Sequence, residues 1–195
     1  MKADLKKGKI FVISGPSGSG KTTLAQSLLK DRKLKKKIAR AVSFTTRPKR
    51  SGEKNRKDYF FISQNDFKEK LKAKKILEWT RYLGYYYGTA KDFLESQLYK
   101  SKAIVLCLDL KGAARIKKLY PEITTTIFVM PASLDELYSR IKNRCRDTKT
   151  LEINRRLKLA SREVRAKKRY DHVIVNEDLE TAVRQLKGII NINLN

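Results

Sequence analysis

The chain has 195 residues, 41% of them hydrophobic, and 46 lysines and arginines against 20 aspartates and glutamates, for a formal charge of +26. That size suits one globular domain with a buried core, and the nine tyrosines and the apolar content exclude a disordered chain. Two distant cysteines, Cys107 and Cys145, and a single histidine, His172, exclude a disulfide scaffold, a zinc site and a histidine-based catalytic triad.

Residues 9–14 form a short β-branched apolar run that predicts a buried strand. It is too short for a signal-peptide core, and no run approaches the ~18 residues that cross a bilayer, so a cytoplasmic protein is expected. Gly15, Pro16, Ser17, Gly18, Ser19, Gly20, Lys21, Thr22 and Thr23 follow, then Leu24, Ala25, Leu28 and Leu29 at helical spacing. Strand, glycine-rich loop and helix in that order match G-x-x-x-x-G-K-[ST], the phosphate-binding loop. Glycines let successive N–H groups turn onto phosphate oxygens. Lys21 brings a point charge to the β- and γ-phosphates, and the Thr22 hydroxyl suits Mg²⁺. The helix N-terminus adds partial positive charge.

Residues 40–93 differ in character. Residues 42–46, 58–61 and 85–89 are short and aromatic, and they read as an inserted α+β lobe. Residues 103–108 predict a second buried strand ending at Asp109, at the edge where α/β proteins bind ligands. The Asp109 carboxylate suits Mg²⁺, directly or through water; the alternative is a helix cap or a turn. Residues 124–130 and 172–175 are the third and fourth strands. Residues 133–144 predict a helix opened by Ser133 and Glu136, a capping box. Leu134, Leu137 and Ile141 form its apolar stripe, and Arg140 and Arg144 share another face. Residues 154–169 are helical and strongly basic. Strands alternating with helices predict an α/β fold of three layers around a mainly parallel sheet.

The charge is concentrated. Residues 30–57 hold 13 lysines and arginines with two acids, and residues 140–169 hold 13 with three acids. These two segments carry +21 of the +26. They are either solvated basic faces or two segments that converge on phosphate, and the motifs favour convergence.

The lobe motifs resemble a known family. Residues 43–53 (SFTTRPKRSGE), Asp58-Tyr59-Phe60-Phe61, Leu77-Glu78-Trp79 and Tyr86-Tyr87-Gly88-Thr89 look like the nucleoside-monophosphate lobe of guanylate kinases. The phosphate loop, the strand ending at Asp109, and Val173-Ile174-Val175-Asn176 fit the same family in order and spacing. The resemblance runs from about residue 9 to residue 190. It implies transfer of phosphoryl from ATP to GMP, and to dGMP, with Mg²⁺, in purine nucleotide metabolism. It implies one domain: a core (1–39, 94–139, 158–195), a GMP-binding lobe (40–93) and a helical lid (140–157). By motif position Ser43, Glu78 and Thr89 would hold guanine. Arg47, Arg50, Tyr59 and Tyr87 would hold the GMP phosphate, with Glu53 and Asp109 completing that site. Arg140, Arg144 and Arg156 would reach the transferring phosphoryl group together with Lys21 and Arg50, and Asn176 would lie near adenine. Thr22 and Asp109 would serve the metal.

The chemistry of guanine agrees. Its edge offers two donors, N1–H and the 2-amino group, which a carboxylate accepts bidentately, whereas adenine would set an unpaired acceptor against Glu78. Some positions depart from the family pattern. Cys107 stands where an acid is usual, Cys145 replaces a lid glycine, Arg56 replaces a glycine, and an insertion leaves Arg155 competing with Arg156. Alternatives are a non-catalytic guanylate-kinase-like binding module, a related phosphate-loop kinase with another phosphorylated acceptor, and an RNA-binding protein. The +26 charge favours the last, but no RNA-binding motif supports it. No specific nucleic acid partner and no membrane are expected, and the chain is expected to be a monomer or small homo-oligomer.

Overall fold

The first strand, β1 (Ile10–Ser14), is buried along its whole length because helices cover both faces of its sheet. The computed structural model describes residues 8–82, 84–100, 102–144 and 150–194; the side chains of residues 143, 144, 150–152, 155 and 156 lie outside this description. After β1 come α1 (Lys21–Lys30), α2 (Leu34–Lys37), β2 (Ile38–Arg40), β3 (Ser43–Thr45), β4 (Phe60–Phe61) and α3 (Gln64–Lys72). Then follow β5 (Ile76–Tyr82), β6 (Tyr85–Ala90), α4 (Lys91–Tyr99), β7 (Ala103–Cys107), α5 (Leu110–Leu119), β8 (Thr124–Pro131) and α6 (Leu134–Arg144). The chain closes with α7 (Thr150–Arg165), β9 (His172–Asn176) and α8 (Leu179–Leu194).

Five strands pair in parallel in the order β2-β7-β1-β8-β9. On one face Phe11, Ile13, Ile127 and Ile174 meet Leu24 and Leu28 of α1 and Leu186 and Ile190 of α8. On the other, Ile10, Val12 and Ile104 meet Leu94 and Leu98 of α4 and Ile116 of α5. The architecture is therefore the three-layer α/β fold expected from the alternating pattern. The chain leaves β1 toward β2 on one side and later returns to β8 on the other. Ligands bind at such a switch, outside the carboxyl ends of the strands.

A second sheet, β4-β3-β6-β5, carries the aromatic segments. Phe67 of α3 seals its outer face by stacking on Tyr86, with ring centroids 5.2 Å apart. A complete capping box fixes the start of α3: Ser63 Oγ accepts from Asp66 N at 3.0 Å, and Asp66 Oδ2 accepts from Ser63 N. The box expected at Ser133 forms only by half. Ser133 Oγ accepts from Glu136 N, but the Glu136 carboxylate turns to Arg140 four residues on. The basic helix expected over 154–169 runs 150–165 and ends in a 3-10 turn over Ala166–Arg169. It packs on α6 through Ile153 and Ala160 against Leu137 and Ile141.

Candidate active site

The loop after β1 is shaped by glycines at positive φ. A Cβ on Gly15 (φ 140°) would stand 2.2 Å from Val129 O, and one on Gly20 (φ 94°) would stand 2.2 Å from Asn176 Nδ2. Gly20 supplies no capping side chain to α1, so the first-turn N–H groups face the site, where an anion satisfies them. Lys21 Nζ donates to Gly15 O at 2.6 Å and Pro16 O at 2.8 Å, folding over the loop. Asn176 Nδ2 donates to Ser19 O at 2.8 Å and braces the loop from β9.

This loop faces the inner side of the second sheet across a cavity of about 880 Å³. Of the expected residues, Gly15, Ser17, Gly18, Gly20, Lys21, Thr22 and Thr23 line it from the loop side. Ser43, Arg47, Arg50, Glu53, Tyr59, Glu78 and Tyr87 line it from the opposite side, and Asp109 lines it from the end of β7, beside β1 in the core sheet. Pro16, Ser19, Thr89, Asn176 and Arg140 are not among the residues that line it. Arg140 is tied to Glu136 and to Asn176 O, the latter at 3.5 Å. The side chains of Arg144 and Arg156, and the whole of Cys145, lie outside the described residues.

Glu78 is 5% exposed. It sits where the β5–β6 register slips between Ile76 and Trp79, a bulge that turns its carboxylate inward. Its Oε1 accepts from Thr89 Oγ1 at 2.5 Å, and Thr89 pairs across the sheet with Ser43. The three residues expected at guanine thus meet on adjacent strands. Burial and the nearby Asp109 charge push the Glu78 carboxyl up to about 7, against the Thr89 hydrogen bond, which favours ionisation.

Arg47, 9% exposed, donates through one nitrogen to both oxygens of Glu53 at 2.7 and 3.0 Å, and Glu53 Oε2 accepts from Arg50 N at 2.8 Å. Burial opposes the Arg47 charge and the Glu53 carboxylate overcomes it, so its pKa rises; Glu53 is correspondingly lowered against the same burial. Tyr59 lies edge-on to Tyr87 at 5.9 Å and under the Arg47 guanidinium at 5.7 Å. Burial pushes its hydroxyl up to about 12, so it stays a proton donor. Glu53 therefore braces the Arg47 guanidinium and the backbone at Arg50.

Asp109 caps α5: its Oδ1 accepts from Gly112 N at 2.8 Å while the residue lines the cavity. Cys107 also lines it, with Sγ 3.7 Å from Lys21 O, and burial raises its thiol pKa. Arg56 holds φ 64°, the conformation that favours glycine.

Several lining residues escaped the sequence reading, among them Arg40 and Glu163. Arg40, at the end of β2, donates to Lys57 O and Asp58 O, each at 3.4 Å, and tethers the turn that carries Tyr59. It was hidden in a lysine-rich run. Glu163 reaches the cavity from α7 and was hidden among the basic residues of that helix.

A phosphate loop at the carboxyl edge of a parallel sheet, facing arginines, tyrosines and a buried carboxylate across one cavity, defines a phosphate-loop nucleotide kinase. A family model described as guanylate kinase matches residues 7–193. The guanylate kinase of Protochlamydia amoebophila is 40% identical over 186 residues, covering 95% of this chain and 91% of that protein. That of Bacillus subtilis is 38% identical, covering 95% and 89%. The crystal structure of guanylate kinase from Anaplasma phagocytophilum superposes with a TM-score of 0.80 at 32% identity, covering 96% of this chain and 86% of that one. The chain belongs to the guanylate kinase family.

Proposed function

We propose that this protein transfers the γ-phosphoryl group of ATP to GMP, and to dGMP, giving ADP and GDP or dGDP. One observation carries the acceptor assignment: a buried carboxylate, Glu78, aimed by a bulge into the cavity that also holds Lys21. Ionised, Glu78 accepts guanine N1–H and the 2-amino group, with Ser43 and Thr89 beside it.

Arg47, Arg50, Tyr59 and Tyr87 take the GMP phosphate. Its second pKa is ~6, so a phosphate oxygen is already the nucleophile at neutral pH and no general base is needed. The loop N–H groups, Lys21 and Thr22 hold the ATP phosphates. The chain's contribution is positioning and neutralisation of charge between two anionic substrates.

Mg²⁺ fits this site. Thr22 offers a hydroxyl, and Asp109 spends one oxygen on its cap and keeps the other beside the cavity. Magnesium is held by one or two such ligands plus phosphates, and it would supply charge neutralisation on the phosphoryl oxygens.

Segment 40–93 serves as the GMP lobe and 140–157 as the lid. Position 156 lies two turns before Glu163 on the same side of α7, roughly 10 Å along the helix. That register favours Arg156 over Arg155 as the residue reaching the phosphoryl group, with Arg140 and Arg144 from α6. Asn176 lies at the adenine side, where it also supports the loop. Among the described residues no helix is long and apolar enough to cross a membrane. We take the protein to work in the cytoplasm as a monomer or small homo-oligomer. A coupled ADP-release assay with GMP, AMP or no acceptor tests the function. Turnover stimulated strongly by GMP and far more weakly by AMP is expected; equal rates in all three would defeat the proposal.

A further inference from the structure

Glu163 has no part in the scheme above, yet it sits in the cavity with Lys21, Thr22 and Asp109. An acid beside two incoming anionic substrates, ATP and GMP, is costly unless its charge is used. Packing on either side fixes its place. Three residues before it, Ala160 is buried against Leu137 and Ile141 of α6. Seven residues after it, the Tyr170 ring packs on Phe128 of β8 with centroids 5.0 Å apart. Glu163 thus lies on the anchored root of α7, close to the phosphate loop.

We infer that Glu163 is a positioning residue for Lys21, drawing its ammonium from the loop carbonyls toward the phosphates. The carbonyls of Gly15 and Pro16 hold that ammonium at 2.6 and 2.8 Å, in competition with nucleotide. A carboxylate on the cavity side provides an opposing pull and links the lid helix to the loop. The charges are coupled: burial pushes the Glu163 carboxyl up to about 7, Lys21 draws it down, and Asp109 raises it. The inference rests on the ATP half of the proposed function and not on the identity of the acceptor.

The test is a double-mutant cycle on ATP affinity, read by calorimetric titration of the full chain without acceptor. Two opposed effects separate by sign. Removing a negative charge relieves repulsion toward ATP, and removing the partner of Lys21 loses its positioning. Glu163→Gln is expected to weaken ATP binding in the parent, but to leave it equal or tighten it in a Lys21→Met background. The coupling should be about tenfold or more. Thermal midpoints of all variants should stay close to the parent's, and Glu163→Asp should restore part of the affinity. The inference is overturned if Glu163→Gln shifts ATP affinity equally and in the same direction in both backgrounds, or leaves the parent unchanged. Failure of GMP as acceptor would defeat the acceptor assignment and leave this cycle readable.

Discussion

Glu78→Gln separates what Glu78 does for function from what it costs the fold. A carboxyl raised from 4.5 to about 7 retains its proton in the folded protein after the unfolded chain has lost it. Stability contributed by this residue therefore falls as pH rises from about 4.5 to about 7. Once both states are ionised, the deficit is on the order of 3 kcal/mol. A neutral amide of the same shape escapes that cost and can still accept from Thr89 Oγ1. The variant should therefore be more stable than the parent at pH 8, by up to about 3 kcal/mol, and should lose that advantage below pH 4.5. Guanine recognition should move the other way. The amide presents one acceptor and one donor to two guanine donors, losing a charged hydrogen bond and leaving a buried donor unpaired, about 3–5 kcal/mol together. That is a loss of roughly 10²–10⁴ in kcat/KM for GMP, with the small activity toward AMP little changed. In the parent, GMP affinity should rise as pH rises through 7, because Glu78 must release its proton to accept from guanine. Melting curves at pH 5 and 8 and kinetics with both acceptors check these outcomes. A variant less stable at pH 8, or an unchanged ratio of GMP to AMP activity, would refute the reasoning.

Other substitutions divide structural from chemical roles. Asp109→Ala removes the cap on α5 and should cost about 1 kcal/mol of stability. Asp109→Asn keeps a capping side chain and should keep stability while losing turnover; full activity in the Asn variant would remove the carboxylate from the metal site. Glu53→Gln should raise KM for GMP about tenfold by loosening Arg47, with a smaller effect on kcat; an unchanged KM would show that Arg47 needs no brace. Arg56→Gly should stabilise the fold by roughly 0.5–1 kcal/mol, since φ 64° strains arginine while glycine gives back part of that in chain entropy. For a chain of this length that is a rise of about 1–4 °C in the melting midpoint, and a lower midpoint would mean the arginine makes contacts that outweigh the strain.

The phosphate loop was legible because strand, glycines, lysine and helix are contiguous, and local geometry follows from local sequence. At Arg56 the resemblance marked a glycine position, and the backbone there is left-handed, with φ 64°. The lobe was legible as aromatic short strands, but not the bulge that turns Glu78 inward, since register depends on which strand lies opposite. What the sequence could not convey joins distant segments. Asn176 braces Ser19 across 157 residues of chain, and Arg40 tethers the turn at Lys57 and Asp58. Glu163 looked like a stray acid because its neighbours on the chain are basic, while in space it shares the cavity with Lys21 and Asp109. The charge of +26 first suggested a polyanion. The arginines that line the cavity narrow that to phosphates, and the many remaining lysines have no assigned role.

The most direct test follows the phosphorus itself. Protein, ATP, Mg²⁺ and GMP are mixed and the products resolved by ³¹P NMR. GDP should form in step with ADP, one for one, with little inorganic phosphate, and no ADP should form when GMP is omitted. Release of inorganic phosphate in place of GDP, or ADP formation indifferent to GMP, would contradict phosphoryl transfer to GMP.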